Sequence, residues 1–324
     1  MAGASDLTTW ALWHRVRDLE CGRGNGFRNP IWSPEMTSIE TAISGIEATV
    51  GVLARHLETG REIQHNADDV FFTASTLKVP VLVELYRQVD RGVIDLNRRV
   101  ELTDSLRVPG SGILKEMTAG INPTVHDLAM LMIIISDNTA TDILYDLVGR
   151  DNLDNTMREL GLHQTRIPMT VRQLLFSVVG LDPENADHTC DLCAQRLFNE
   201  EYVHDGAGYD PDRSDVSSPA DLCRLLELLY SGDILSSTSR KGALDILKRQ
   251  QLRTVIPYAL PAGTTVAHKT GFYLGVRADA GIVFSPTGPY TIAIMAKHVT
   301  CRDRMAFDLS LAALSRAVYN ALVE

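Results

Sequence analysis

The chain has 324 residues, 45% of them hydrophobic, enough to bury a core as one large domain or two joined subdomains. Its net charge of -10 repels phosphate backbones and anionic lipid, so nucleic acid and membrane are excluded as expected partners. The longest apolar stretch, Leu128 to Ile135, is far too short to cross a bilayer.

Residues 1–36 read as an N-terminal extension. All three tryptophans, Trp10, Trp13 and Trp32, lie there with a Gly/Arg/Asn-rich stretch from Cys21 to Asn29. Two readings stay open: a docking arm or homo-oligomer contact, or a segment that covers the domain's own surface. Met1 to Arg15 is mixed in character and lacks a charged-then-apolar leader pattern. The five cysteines, an odd number without such a leader, lead to an expectation of free thiols and a cytoplasmic location.

A helix is expected from Thr37, where Thr37 and Glu40 have capping-box spacing. Thr49 to Leu57 is a β-type run, Thr59-Gly60 a turn, and Glu62 to His65 a return strand, which together read as a hairpin. From Ser75 the pattern turns helical and stays mostly so to about residue 250. Thr124-Val125-His126-Asp127 opens the apolar helix that ends at Ile135. Ser218-Pro219-Ala220-Asp221 places Ser as N-cap, Pro at the first helical position and an acid in the first turn, and Gly232 stops that helix. Strands are predicted at Thr264 to Lys269, Asp279 to Phe284 and Tyr290 to Lys297, with a turn at Pro286 to Pro289. A final amphipathic helix, Asp303 to Val323, carries Leu311, Leu314, Val318 and Leu322 at helical spacing. This order predicts a sheet assembled from both ends of the chain, subdomain 37–74 with 250–324. A helical subdomain, 75–249, is inserted between them, and the whole forms one domain over 37–324.

Three short motifs occur in that frame. In Ser75-Thr76-Leu77-Lys78, helical spacing brings both polar side chains to one face. A serine hydroxyl needs a base to attack, and a lysine serves when burial and nearby cations depress its pKa. Apolar Phe71, Phe72, Leu77 and Val79 provide that setting. Ser136-Asp137-Asn138 ends a buried apolar helix, which points three polar residues at a cleft. Lys269-Thr270-Gly271 lies on a predicted strand: Lys and Thr can hold a carboxylate, and Gly allows a substrate backbone to approach. Each motif alone is weak, since each also occurs as an ordinary surface pair, helix end or strand end. Their order and context carry the signal.

The trio resembles the signature of class A β-lactamases and penicillin-binding proteins. The resemblance runs from about Thr37 to the C-terminus and is closest to class A enzymes and their cytosolic relatives. It rests on Phe71 to Pro80, Leu131 to Thr141 and His268 to Gly271. It implies an α/β (α+β) sandwich: an antiparallel sheet flanked by terminal helices, plus an all-α subdomain, with the site between them. It also implies a serine hydrolase that opens an amide, lactam or ester through an acyl-enzyme, with no cofactor or metal. By that resemblance Ser75 is the nucleophile, Lys78 its base or proton relay, and Ser136 the hydroxyl that passes a proton to the leaving group. Asn138 binds a substrate amide. Lys269 and Thr270, with Gly271, hold a carboxylate on a small-molecule substrate. The backbone N–H groups of Ser75 and Phe272 form the oxyanion hole.

The sequence departs from that pattern in three places. The family's Glu-x-x-Leu-Asn loop, whose acid activates the deacylating water, is missing: Arg166 to Leu174 stands in its place and contains no acid. Glu184 is wrongly spaced and reads as a solvated loop acid. The segment between Ser136 and Lys269 is also long, with the excess assigned to Val171 to Asp215, where an insertion beside a cleft would shape specificity. Phe272 is bulkier than the small residue expected there. Three readings follow: a hydrolase with weak β-lactamase activity, a D,D-peptidase, or an acylated sensor that does not turn over. His188 to Cys193 reads as buried thiols rather than a metal site, His268 as structural, Arg277 as a surface arginine, and Pro109 to Gly112 as a loop rimming the cleft.

Overall fold

The computed structural model describes residues 38–324. The expectations for the extension, including its tryptophans, Cys21 and the Thr37 cap, lie outside them. The first described helix, α1 (Ile39–Ser44), is capped by Ser38, whose hydroxyl accepts from the Thr41 N–H. The hairpin follows as β1 (Thr49–His56) and β2 (Glu62–His65), paired antiparallel. A short β3 (Phe71–Phe72) leads through a 3-10 turn, Ala74–Leu77, into α2 (Lys78–Asp90).

The helical body continues with α3 (Val125–Ile134), α4 (Asn138–Val148), α5 (Arg150–Glu159), α6 (Val171–Val178) and α7 (Cys190–Phe198). It then passes through β4 (Val216–Ser217) to α8 (Pro219–Ser231) and α9 (Ser237–Leu247). The expected caps form. Thr124 and Asp127 close a reciprocal box at α3, Ser218 caps α8 with Pro219 inside, and Gly232 ends α8 in a left-handed conformation. The chain finishes with β5 (Thr265–Tyr273), β6 (Val276–Ser285), β7 (Gly288–Lys297) and α10 (Arg304–Val323).

The main sheet has the order β2-β1-β7-β6-β5, every adjacent pair antiparallel. Strands from both ends of the chain therefore meet at β1 and β7. Both faces are covered, so β7 is buried along nearly its whole length rather than alternating in and out. Ile292, Ile294 and Ala296 pack with Leu311, Leu314 and Val318 of α10. Ala293 and Met295 join the core beneath α2, α4 and α8 on the other face. Among the described residues, no helix is long and apolar enough to cross a membrane.

This arrangement leaves β5 as an edge strand. Its free edge abuts the turn that carries Ser75: a Cβ on Gly271 would stand 2.7 Å from the Ser75 backbone nitrogen. The strand is longer than predicted, so Lys269-Thr270-Gly271 lies in its middle rather than at its end.

Candidate active site

Ser75 sits in the 3-10 turn, and Lys78 is the first residue of α2. In 3-10 geometry residues three apart eclipse one another, which puts both on one side of the turn, but the hydrogen bonds of the Lys78 amine go to Ser136 and Asn138 rather than to the Ser75 hydroxyl. Ala74, just before the serine, has φ 44°, in the left-handed region that alanine rarely enters. Ser136, between α3 and α4, has φ 60°. Strain of this kind costs about 1–3 kcal/mol per residue and persists where the surroundings over-determine it. Here it falls beside one candidate hydroxyl and on the other.

The Lys78 amine is fully buried. Its nitrogen donates to the Ser136 carbonyl at 2.8 Å and the Asn138 Oδ1 at 3.0 Å, and lies 2.9 Å from the Ser136 Oγ, to which an ammonium donates its third hydrogen and from which a neutral amine accepts. Burial, and then the Lys269 charge, hold its pKa well below the usual lysine range, against opposing pulls from Asp137 and Asp142. Lys269 is also fully buried on β5 and donates to the Thr270 carbonyl at 2.6 Å. Burial brings its pKa down to about 7, with Asp279 opposing.

The first residues of α4 organise this centre. Asp137 is the N-cap: one oxygen accepts from the Ala140 N–H at 2.9 Å. The other accepts from Ile113 at 2.7 Å and Leu114 at 2.9 Å, fixing the loop over the site. Gly112 is required beneath it, because a Cβ there would meet the Asp137 carboxylate at 2.3 Å. Asn138 holds Lys78 through its oxygen and donates to the Pro109 carbonyl at 2.9 Å, and its second amide hydrogen has no partner among the described residues. One turn later, the buried Asp142 accepts from the N–H groups of Val171 at 2.7 Å and Arg172 at 2.9 Å. Asp142 thereby holds the first turn of α6, whose own N-cap is Thr170, and burial lifts the Asp142 pKa to about 6.

A cavity of about 310 Å³ opens beside Ser75, and Asn138, Gly110, Ser111, Phe272 and Tyr273 line it. Among the described residues, no aspartate, glutamate, lysine or arginine lines it. Thr270, Gly271, Phe272, Arg277 and Arg304 surround a smaller hollow next to it.

Over residues 35–322, the chain matches the beta-lactamase enzyme family. It is a member of that family. A β-lactamase from Streptomyces lavendulae is 26% identical over 306 residues, 92% of this chain and 89% of that protein. The structure of a β-lactamase from Sphaerobacter thermophilus is 27% identical with a TM-score of 0.72, covering 88% of this chain and 96% of that one. The structure of PBP-A is 30% identical with a TM-score of 0.71, covering 87% and 93%. A variant of PBP-A forms an acyl-enzyme complex with penicillin G. As a member of the beta-lactamase family, this chain is a serine hydrolase acting on a small molecule.

Within this β-lactamase-family fold, the long segment is an excursion from 167 to 215, closed by a two-way backbone pairing of Arg166 with Val216. It carries α6 and α7, and it supplies Val171, Leu174, Leu175, Leu197, Phe198 and Tyr202 to the cavity wall. Glu184 is exposed on it, away from the cavity. Sequence reasoning placed an insertion here but missed these six residues and Tyr273. The only local signal was the apolar run Leu174 to Phe176.

Several other positions differ from expectation or gain a partner. Arg277 is not a surface arginine: it is buried, paired with Asp308 at 2.5 Å, and its guanidinium lies 4.5 Å from the Phe272 ring centre. Burial lowers its pKa to about 10, against the pull of Asp308. The Asp308 partner lies on α10, which spacing along the chain could not reveal. His268 is buried, with its Nδ1 2.9 Å from Asp279 on the neighbouring strand. Cys193 is buried; Cys190 is half-buried and donates to the Arg107 carbonyl at 3.2 Å.

Proposed function

We propose that this protein opens an amide, lactam or ester bond through an acyl-enzyme on Ser75. The observation that carries the reading is the Lys78 amine, buried one turn from Ser75 and bonded to the Ser136 hydroxyl. A lysine kept neutral by burial and by the neighbouring Lys269 gives its two hydrogens to the Ser136 carbonyl and the Asn138 Oδ1, and its lone pair turns from the Ser136 hydroxyl to take the Ser75 proton. Ser75 Oγ then attacks the carbonyl carbon. The developing oxyanion is received by the N–H groups of Ser75 and Phe272. The proton passes from Lys78 through Ser136 to the leaving nitrogen or oxygen, and the C–N or C–O bond breaks. Asn138 offers its free amide hydrogen to a substrate carbonyl. Lys269 and Thr270 hold a carboxylate on the leaving side.

Deacylation requires water and a base. With no carboxylate in the cavity wall, Lys78 serves that step as well, and the acyl-enzyme is long-lived unless the acyl group is intrinsically labile. This supports weak β-lactamase activity at most. The same observation favours a second reading, a penicillin-binding or sensor protein that is acylated with little turnover.

One experiment separates these readings. The protein is incubated with a chromogenic β-lactam and with aryl esters, while intact mass and the Ser75 peptide are followed, with Ser75→Ala as the control. Turnover identifies a hydrolase, and a persistent adduct identifies the slow form. Absence of any Ser75 adduct, or hydrolysis as fast as a dedicated β-lactamase, overturns the corresponding part of the scheme.

A further inference from the structure

We propose that the cavity beside Ser75 is an acyl pocket for a bulky apolar acyl group, aromatic or medium-chain aliphatic, and that the 167–215 excursion sets this preference. The inference rests on Ser75 as the acylated residue and adds the substrate class.

The wall is built, not incidental. α6 and α7 form their own small core around Phe176, Val178 and the buried Cys193, and that core includes Ala74 and Tyr273. The residues on both sides of the cavity are therefore locked to the segment that carries the nucleophile. Asp142 fixes the start of α6 from below through two backbone bonds. The Tyr273 hydroxyl donates to the Gly208 carbonyl, tying β5 to the far end of the excursion.

The chemistry of the lining selects against a polar acyl group. A charged or strongly hydrated group would lose its water there, and no ionised side chain lines the cavity to replace it. An apolar group meets leucine and aromatic surface and gains in proportion to the area it buries. The volume, about 310 Å³, lies at the small end of ligand pockets, which suits one ring or a medium chain rather than a peptide. At the mouth, Phe198 is 72% exposed and Phe272 44% exposed. Two large exposed aromatic side chains lining one cavity are surface that a bound acyl group would cover.

The test is a series of 3-carboxy-4-nitrophenyl esters, in which the leaving group keeps its carboxylate and only the acyl chain changes. Acetate, butanoate, hexanoate, octanoate and phenylacetate are compared with the half-ester of glutaric acid, whose acyl chain carries a charge. The readouts are the burst of nitrophenolate and the mass of the Ser75 adduct. Acylation is expected to speed up roughly fourfold per added methylene until the cavity is full, with the glutaryl ester more than tenfold slower than the hexanoate. Phe198→Ala changes a mostly exposed side chain, so it leaves the fold intact. It is expected to slow the octanoate at least three times more than the acetate. A flat or falling chain-length profile, or a glutaryl ester as fast as the hexanoate, overturns the acyl-pocket inference while leaving acylation of Ser75 standing. Absence of a Ser75 adduct with every ester and with a β-lactam overturns the Ser75 reading, and this inference with it.

Discussion

Gly271→Ala isolates the contact that brings strand and nucleophile together. Gly271 does not have a positive φ, so alanine fits its backbone; what it lacks is room. The added Cβ would lie 2.7 Å from the Ser75 nitrogen, 2.8 Å from the Thr73 carbonyl oxygen and 3.0 Å from the Thr76 nitrogen. All three are backbone atoms, so no side chain can swing aside. Relief requires a movement of roughly 0.7–0.8 Å by one of the two segments, given a normal carbon contact of about 3.5 Å. β5 is held by its continuous ladder with β6, from Thr265 opposite Phe284 to Tyr273 opposite Val276. The Ser75 turn is a short 3-10 segment with poorer hydrogen bonds, so it is the part that yields. Overpacking of this kind costs about 1–3 kcal/mol of stability. Because a misplacement of about 1 Å costs roughly a hundredfold in rate, acylation is expected to slow by about 10- to 100-fold. The assay is the second-order rate of adduct formation with a chromogenic β-lactam, at a temperature where circular dichroism shows the variant folded. Gly242→Ala, on α9, is the control: its Cβ would press on the Tyr86 side chain, 2.8 Å from the hydroxyl and away from Ser75, so it should destabilise the fold while the folded protein acylates within about threefold of wild type. Acylation of Gly271→Ala at the wild-type rate would refute the claim that β5 positions the nucleophile.

Three further outcomes are expected. Lys78→Ala should slow acylation by about 10²- to 10⁴-fold, the usual worth of a positioned base, with little change in the affinity measured for a non-reacting carboxylate analogue. With its pKa near 7, Lys269 loses its charge as pH rises through neutrality. The preference for a carboxylate-bearing ester over its neutral counterpart should therefore fall by roughly 10- to 100-fold between pH 6 and 9, the worth of a charge-assisted bond; a flat ratio would remove Lys269 from carboxylate binding. Asp142 has a folded pKa of about 6 against an ordinary 3.8, so the fold favours its protonated form. Its favourable contribution is complete below about pH 4 and lost as pH rises through 6. The stability of wild type relative to Asp142→Asn, measured by urea unfolding, should fall by roughly 2–3 kcal/mol over that window.

The parts of the site that the sequence exposes are those in which local spacing does the chemical work. Ser75 and Lys78 share a turn, Ser136 and Asn138 straddle a helix start, and Lys269 lies on a strand with the right pattern. What stayed hidden depends on packing between distant segments. Arg277 reads as a surface residue until α10 brings Asp308 against it. Leu197 and Phe198 end a helix inside an acidic loop, and only the folding of α7 onto α6 turns them toward Ser75. Asp142 shows as a lone acid on a buried helix face, but its role needs α6 above it. The left-handed Ala74 is invisible in sequence, because alanine is not a residue that announces such a conformation.

The same excursion accounts for two of the departures from the family pattern, the missing acid and the extra length. Arg166 to Leu174 is where the family's acid for activating water would stand, and the structure turns its later part into the first turn of α6, capped by Thr170 and held by Asp142. Committing that backbone to a helix directs Leu174 and Leu175 at the cavity. An apolar wall excludes water from the acyl carbon as effectively as it attracts an apolar chain, so the two properties are not independent. A pocket that gains acylation rate from hydrophobic contact loses deacylation rate by the same contact, and Lys78 alone must recover it. On this argument, acyl groups that fill the cavity best should also leave Ser75 most slowly. The ester series measures both rates on the same samples. If the longest-lived adduct came instead from the acetate, water exclusion by the wall would not be what limits turnover.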